Sequence, residues 1–254
     1  MTNWTQAKGA GDSHKSNAIT DVACPFCGLV CDDLEIVRDE SGIKVAKNGC
    51  EKAIAGFERN VDGARPQVDG QEVDLDVAIR AATELVRGAA LPLYGGLGTD
   101  VDGIRAVMAL ADKSGGVVDH ALSEGQYRNY RVLQTRGWIM STLTEVRNRA
   151  DVVIIVASDI HKLHPRFFER IVNVEQSLVT ENPPKRTVVF IGKGLDQSAV
   201  TGPRIGEIIT LDSELDRAGE VVAALASEIR GSALGQETVA GVPTAQIRAL
   251  AERC

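Results

Sequence analysis

The chain has 254 residues, 44% of them hydrophobic, and a formal net charge of −7. That is enough apolar material for a sizeable core, and the acidic balance excludes nucleic acid or an anionic membrane surface as the main partner. No apolar run reaches the ~18 residues that span a bilayer, and the polar first residues lack a secretory h-region, so a reduced cytoplasmic compartment is expected.

Residues 1 to 19, rich in Gly, Ser, Asn and Lys, read as a flexible arm with Trp4 as its one anchor and His14 solvated. Residues 20 to 60 form a small β-rich module that carries four of the five cysteines: Cys24, Cys27, Cys31 and Cys50. Cys24-Pro25-Phe26-Cys27 and Cys31 crowd onto one tight loop, too close to serve as useful disulfide partners. Four thiolates can close a tetrahedral shell around zinc or hold the corners of a cubane cluster, and this spacing suits either. Gly28 and Gly49 would let backbone N–H groups turn toward the sulfurs. Leu34–Val37 and Ile43–Val45 alternate around Asp39-Glu40-Ser41-Gly42, a β-hairpin pattern that returns the chain to Cys50. A short helix is expected from Glu51 to Arg59, and Asp32-Asp33 is read as capping a turn beside the ligand loop.

Residues 61 to 254 read as one α/β domain. Asp62 to Glu72 is a linker, and Asp74 is placed as the N-cap of a helix with apolar positions at 75, 78, 79, 82, 85 and 86. Strands are expected at 91–94, 117–119, 151–156, 187–191 and 207–210, alternating with helices at 101–113, 124–135, 165–172 and from Asp212 or Ser213 to about 229. That alternation predicts a parallel sheet with helices on both faces. Gly95-Gly96-Leu97-Gly98 is read as a packing turn, since it matches neither dinucleotide nor P-loop spacing. A last helix runs from Ala245 to Cys254, with no glycine cap, as if the sequence stopped at the end of an element; Cys254 is expected to be a free thiol.

The stretch from Cys24-Pro25-Phe26-Cys27 to Asp32-Asp33, with Cys50, resembles the start of the molybdopterin oxidoreductases, and more narrowly the B-type subunit of formylmethanofuran dehydrogenase. Arg65–Gly70, Glu145–Val153 and Asp159–Phe168, with its His164-Pro165-Arg166, continue the likeness over most of residues 21 to 230. The resemblance implies a truncated form of that α/β fold and points to [4Fe-4S]. A structural zinc remains the alternative at the same four cysteines. Where the redox enzymes carry a cysteine or selenocysteine for molybdenum or tungsten, this chain has His120–Gln126, without sulfur, and the length leaves no room for the later pterin-gripping domains. No molybdopterin is therefore expected, and no redox catalysis.

The relative that fits these departures is the B-type subunit of the formyltransferase/hydrolase complexes of methylotrophs. It implies a non-catalytic subunit of a cytoplasmic hetero-oligomer, with formyl transfer and hydrolysis to formate on other subunits. His161, His164 and Arg166, together with Glu124, are then candidates for a vestigial or interface site. At least one of Phe167 and Phe168 is expected in the core, with the other a candidate interface anchor. Tyr127, Arg128, Tyr130 and Arg131 read as a solvated helix face.

Overall fold

The structure, a computed structural model, describes residues 17–40, 42–59 and 63–254. Trp4, His14 and most of the expected arm lie outside the described residues. The last residues of that arm are not loose. Asn17–Val22 forms strand β1, antiparallel to β2 (Leu34–Asp39), which pairs in turn with β3 (Gly42–Lys47). Ile19 stands opposite Ile36 in this register, and cross-strand apolar pairs of this kind stabilise a sheet. Helix α1 (Glu51–Phe57) follows Cys50 and buries Ala53 against Leu34, Ile36, Cys24 and Cys31.

The chain forms two compact units, one built from residues 1–60 with 141–254, the other from 61–140. In the second unit the expected linker is folded over its later half. Gln67–Val68 (β4) and Gln71–Glu72 (β5) form a hairpin across Asp69 and Gly70, whose φ angles of 51° and 77° are those of a two-residue primed turn. The Asp-Gly pair was the signal for it. Helix α2 (Leu75–Gly88) starts after Asp74, whose side chain makes no capping bond. Strands β6 (Leu93–Tyr94) and β7 (Val117–Val118) are parallel, joined through α3 (Val101–Ser114), which Asp100 caps at the Gly103 N–H. Helix α4 (Ser123–Arg136) buries none of its residues, so Tyr127 and Tyr130 are exposed as expected.

The first unit resumes with α5 (Leu143–Arg149), capped by the Thr142 hydroxyl. Strands β8 (Val152–Val156), β9 (Arg186–Ile191) and β10 (Ile205–Leu211) form a parallel sheet in the order β10-β9-β8. The single parallel sheet suggested by the alternation is thus two, this one and the β6-β7 pair. Strand alternation divides β9 between two cores. Val189 and Ile191 pack with Leu211, with α7 (Ala218–Ile229) and with α8 (Thr244–Ala251), beside the short hairpin of β11 (Thr238–Val239) and β12 (Val242–Pro243). Val188 and Phe190 face the other way, against Val153, Ile155, Phe167, Phe168, Ile171 and Val172.

The segment between β8 and β9 differs from expectation. In place of one helix over 165–172 there is a single turn, α6 (Ile160–Leu163), and a π-helix over Phe168–Val172. Pro165 accounts for the break after Leu163. The residue before proline is pushed out of the helical region, and His164 sits at φ −137°, ψ 80°. Phe167 and Phe168 are both buried, at 6% and 2% exposure, edge to face with ring centroids 5.4 Å apart. Neither is free to anchor an interface. The helix expected from Asp212 or Ser213 begins later, with a 3-10 turn at Leu215–Arg217, because the Lys193 N–H donates to the Ser213 carbonyl and holds those residues along the sheet edge.

Helices α7 and α8 are tied by Glu228, which accepts from Arg248 and from the Leu234 N–H. The Arg248 guanidinium, aided by that N–H, holds the Glu228 carboxyl below its usual range. A depressed carboxylate adds stability that is present above the unfolded value, about 4.3, and is lost as pH falls through the folded one. Arg248→Gln should therefore lower stability at pH 7, and the gap to the wild type should narrow in urea titrations as the pH falls below about 4.3.

Candidate metal centre

Three backbone hydrogen bonds shape the cysteine loop. The Cys24 N–H donates to the Cys31 carbonyl at 2.7 Å, closing the loop at its base, and the Val30 N–H donates to the Cys27 carbonyl at 3.2 Å. Cys50 stands at the N-cap of α1, where its carbonyl accepts from the Ile54 N–H. Val30 holds φ 45°, a strained setting for a β-branched residue, at the exposed tip of the loop. Gly28 and Gly49 do not need glycine for their dihedrals. A Cβ on Gly28 would come to 3.4 Å from the His164 imidazole, and one on Gly49 would press on Val45.

All four cysteines are free thiols and line one cleft, too narrow to admit a water molecule, with Phe26, Leu29, Leu34, Pro165 and Arg166 in its wall. Cys24 and Cys31 are buried. Burial pushes the Cys31 thiol up, an effect the guanidiniums of Arg166 and Arg170 oppose. Four soft donors facing one cleft suit a thiophilic metal or cluster, which would bind by displacing the thiol protons. Among the described residues, no three or more His, Cys, Asp or Glu side chains are already drawn to a metal-sized centre.

Phe26 covers this cleft by lying over α1, edge to face with Phe57 at 5.1 Å. Gly56 makes room for it, since a Cβ there would overlap the ring. Gly56→Ala is expected to destabilise the module by about 1–3 kcal/mol through overpacking, despite the better helix propensity of alanine. Thermal denaturation with an iodoacetamide readout on Cys27 would show it as a lower midpoint and a more reactive thiol.

Asp32 and Asp33 do more than cap a turn. Arg166, 8% exposed, donates to both Asp33 oxygens at 2.8 and 2.7 Å and to both Glu169 oxygens at 2.9 and 2.5 Å. Arg170, one turn on, pairs with Asp32 at 2.6 Å and also with Asp33. The Arg166 guanidinium and the desolvation of the site act in opposite senses on Asp33, and the first wins, holding its carboxyl below the usual range. Glu169 and Asp33 in turn hold Arg166 above its ordinary value. No local pattern could reveal partners 133 residues apart.

His161, His164 and Arg166 lie in this same unit, next to the module. The Lys52 ammonium donates to the Leu163 carbonyl at 2.8 Å. Burial lowers His164, and the Lys52 charge adds to it. The Nδ1 atoms of His161 and His164 and Asp159 Oδ1 are buried without a hydrogen-bond partner among the described residues, while Asp159 Oδ2 pairs with Lys162 at 2.6 Å. Glu124 belongs to the other unit, on α4, where it pairs with Arg128. In that unit, at the carboxyl end of β7, the Ser123 hydroxyl is engaged by the Asp119 carboxylate and the His120 backbone. Cys254 is exposed, remote in sequence from the other four.

A small four-cysteine β module is thus held to a parallel α/β sheet by the ion pairs of Arg166 and Arg170. No family model matches the chain. It is 30% identical over 247 residues to the B-type subunit of the tungsten-containing formylmethanofuran dehydrogenase 2 of Methanocaldococcus jannaschii, covering 93% of this chain and 56% of that protein. The counterpart from Methanococcus maripaludis is 29% identical over 249 residues, with 92% and 55% covered. The B-type subunit of the formyltransferase/hydrolase complex Fhc of Methylorubrum extorquens is 32% identical over 85 residues, 34% of this chain and 24% of that one. The crystal structure of that FhcABCD complex with methylofuran contains a chain that matches at TM-score 0.50 and 21% identity, over 71% of this chain and 46% of its own, a likeness of fold. The chain is a homologue of the B-type subunits of formylmethanofuran dehydrogenase and of Fhc. It spans about half the length of the dehydrogenase subunits it matches.

Proposed function

We propose that the chain is the B-type subunit of a formyltransferase/hydrolase complex, in which it positions other subunits rather than carrying the chemistry. Formyl transfer from formyl-tetrahydromethanopterin to a methanofuran-like carrier, and hydrolysis to formate, would take place on those partners. The supporting observation is the combination of the dehydrogenase likeness over 93% of the chain with Ser123 and Glu124 in the stretch where the redox relatives are expected to carry sulfur. A truncated molybdopterin-oxidoreductase-like fold belongs to the same reading, as does a structural site at Cys24, Cys27, Cys31 and Cys50. Those four would hold zinc or [4Fe-4S], and either would supply cross-linking stability to a module with a small core of its own.

A second reading has its own support, since two relatives that match over more than nine-tenths of the chain are tungsten-containing dehydrogenases. In that case the chain would belong to an active molybdenum or tungsten oxidoreductase, with the cysteine site passing electrons. Elemental analysis of the chain purified with its native partners separates the two. Zinc or iron alone, with formyl transfer activity in the complex, supports the first. Near-stoichiometric tungsten or molybdenum overturns it. In either case Cys27→Ser should remove the bound metal.

A further inference from the structure

The eighteen residues between Cys31 and Cys50 leave the ligand loop as β2 and return as β3. Two cysteines so far apart in sequence face one cleft only if the two ends of that excursion are fixed to each other. Asp33 follows Cys31 by two residues, and Asn48 precedes Cys50 by two. The Asn48 side-chain amide donates to the Asp33 carbonyl at 2.7 Å. Asn48 holds φ 60°, which turns its own carbonyl away from the strand. That carbonyl accepts from Arg166 Nη1 at 2.8 Å, and the same nitrogen reaches Asp33 Oδ1 at 2.8 Å. One guanidinium from the segment between β8 and β9 therefore grips both ends of the excursion at once. It is 8% exposed, it lines the cysteine cleft, and Glu169 fixes its other edge.

We infer that Arg166 is the positioning residue of the cysteine site, setting the separation of Cys31 and Cys50 by bridging Asp33 and Asn48. It rests on reading the four cysteines as one thiolate site. The planar fork matters: five donors in fixed directions can serve a carboxylate, a second carboxylate and a carbonyl together, whereas a lysine ammonium is a single point charge on a flexible stem. Arg170 serves as a control, because its ion pairs go to Asp32 and Asp33, which lie at the Cys31 end of the excursion.

The test uses the full chain, reduced and metal-free, alkylated with iodoacetamide and resolved by peptide mass spectrometry. Arg166→Met should raise the rate at Cys50 about tenfold or more, the scale expected when a group that orients a ligand is removed. Cys254 should keep its rate and reports any general loosening. Arg166→Lys should fall between the two and guards against a variant that fails to fold; Arg170→Met should leave Cys50 near the wild-type rate. Loss of the guanidinium charge disfavours the thiolate, so a faster reaction reports opening rather than activation. Release of zinc to a chelator should accelerate in the same order. An unchanged Cys50 rate in Arg166→Met and Arg166→Lys, or Cys254 accelerating in parallel, overturns the assignment. If the wild-type chain takes up neither zinc nor iron, the thiolate-site reading falls, and the alkylation comparison still decides for or against Arg166.

Discussion

Phe190→Ala should be the most damaging single core substitution in this chain, lowering stability by about 3–5 kcal/mol. Phe190 lies on the central strand of the three-stranded sheet, fully buried, with its ring 6.4 Å from that of Phe168. Truncation leaves a cavity lined by a β strand on one side and the π-helix on the other, and neither can close it. Strand β9 is pinned by parallel pairing on both edges. The π-helix is fixed by Arg166 and Arg170, so its Phe168 cannot advance into the space. Urea denaturation followed by circular dichroism would register the loss as a lower midpoint at unchanged slope. The adjacent Val189→Ala, facing the opposite core with less volume removed, should cost about half as much. Equal effects at the two positions would contradict the division of the sheet into two separate cores.

The second large effect is expected at Asp33. Asp33→Ala removes the carboxylate that receives two hydrogen bonds from Arg166 and an ion pair from Arg170. Arg166 remains buried with Glu169 and the Asn48 carbonyl, and Arg170 keeps Asp32. Stranding one member of a wholly buried ion pair costs roughly 3–5 kcal/mol. Asp33 has a side-chain exposure of 35%, and Glu169 survives as a partner, so solvent screening brings the expected loss to about 1–3 kcal/mol. Asp33→Asn keeps the shape and one acceptor, and should fall between the wild type and alanine. Asp32→Ala, whose partner is a single exposed contact to Arg170, should be nearly silent. Thermal melts of the three variants would rank them. An Asp32 effect as large as that of Asp33 would show that the arginines bind the loop through both carboxylates equally.

These two residues also mark how far the sequence could be read. The four cysteines, the hairpin that returns to Cys50 and the run of β-branched residues at Val152–Val156 are local signals, and each appears where its spacing puts it. Spacing decides such features because the interactions that make them span a few residues. The hairpin at Asp69-Gly70 reads as part of a linker, although its Asp-Gly pair is a local turn signal of the same kind. The proline at 165 likewise carries its own steric rule, and that rule, not the apolar pattern after it, ended the helix at Leu163.

The roles of Asp33, Asn48 and Arg166 were not legible. Arg166 lies 133 residues from Asp33 and 118 from Asn48, and a carboxylate beside a turn looks the same whether it caps a backbone amide or receives a guanidinium. Phe167 and Phe168 could not be sorted between core and surface, because a π-helix puts consecutive residues on unusual bearings. Nor could the alternation of strands and helices say that the chain leaves one compact unit near residue 60 and rejoins it at 141. The sequence by itself determined which side chains could bind a metal and where the longer strands and helices would fall, since both follow from chemistry and period. Only the tertiary structure decided which distant charges hold those ligands in place, since that depends on where the sheet delivers one buried arginine.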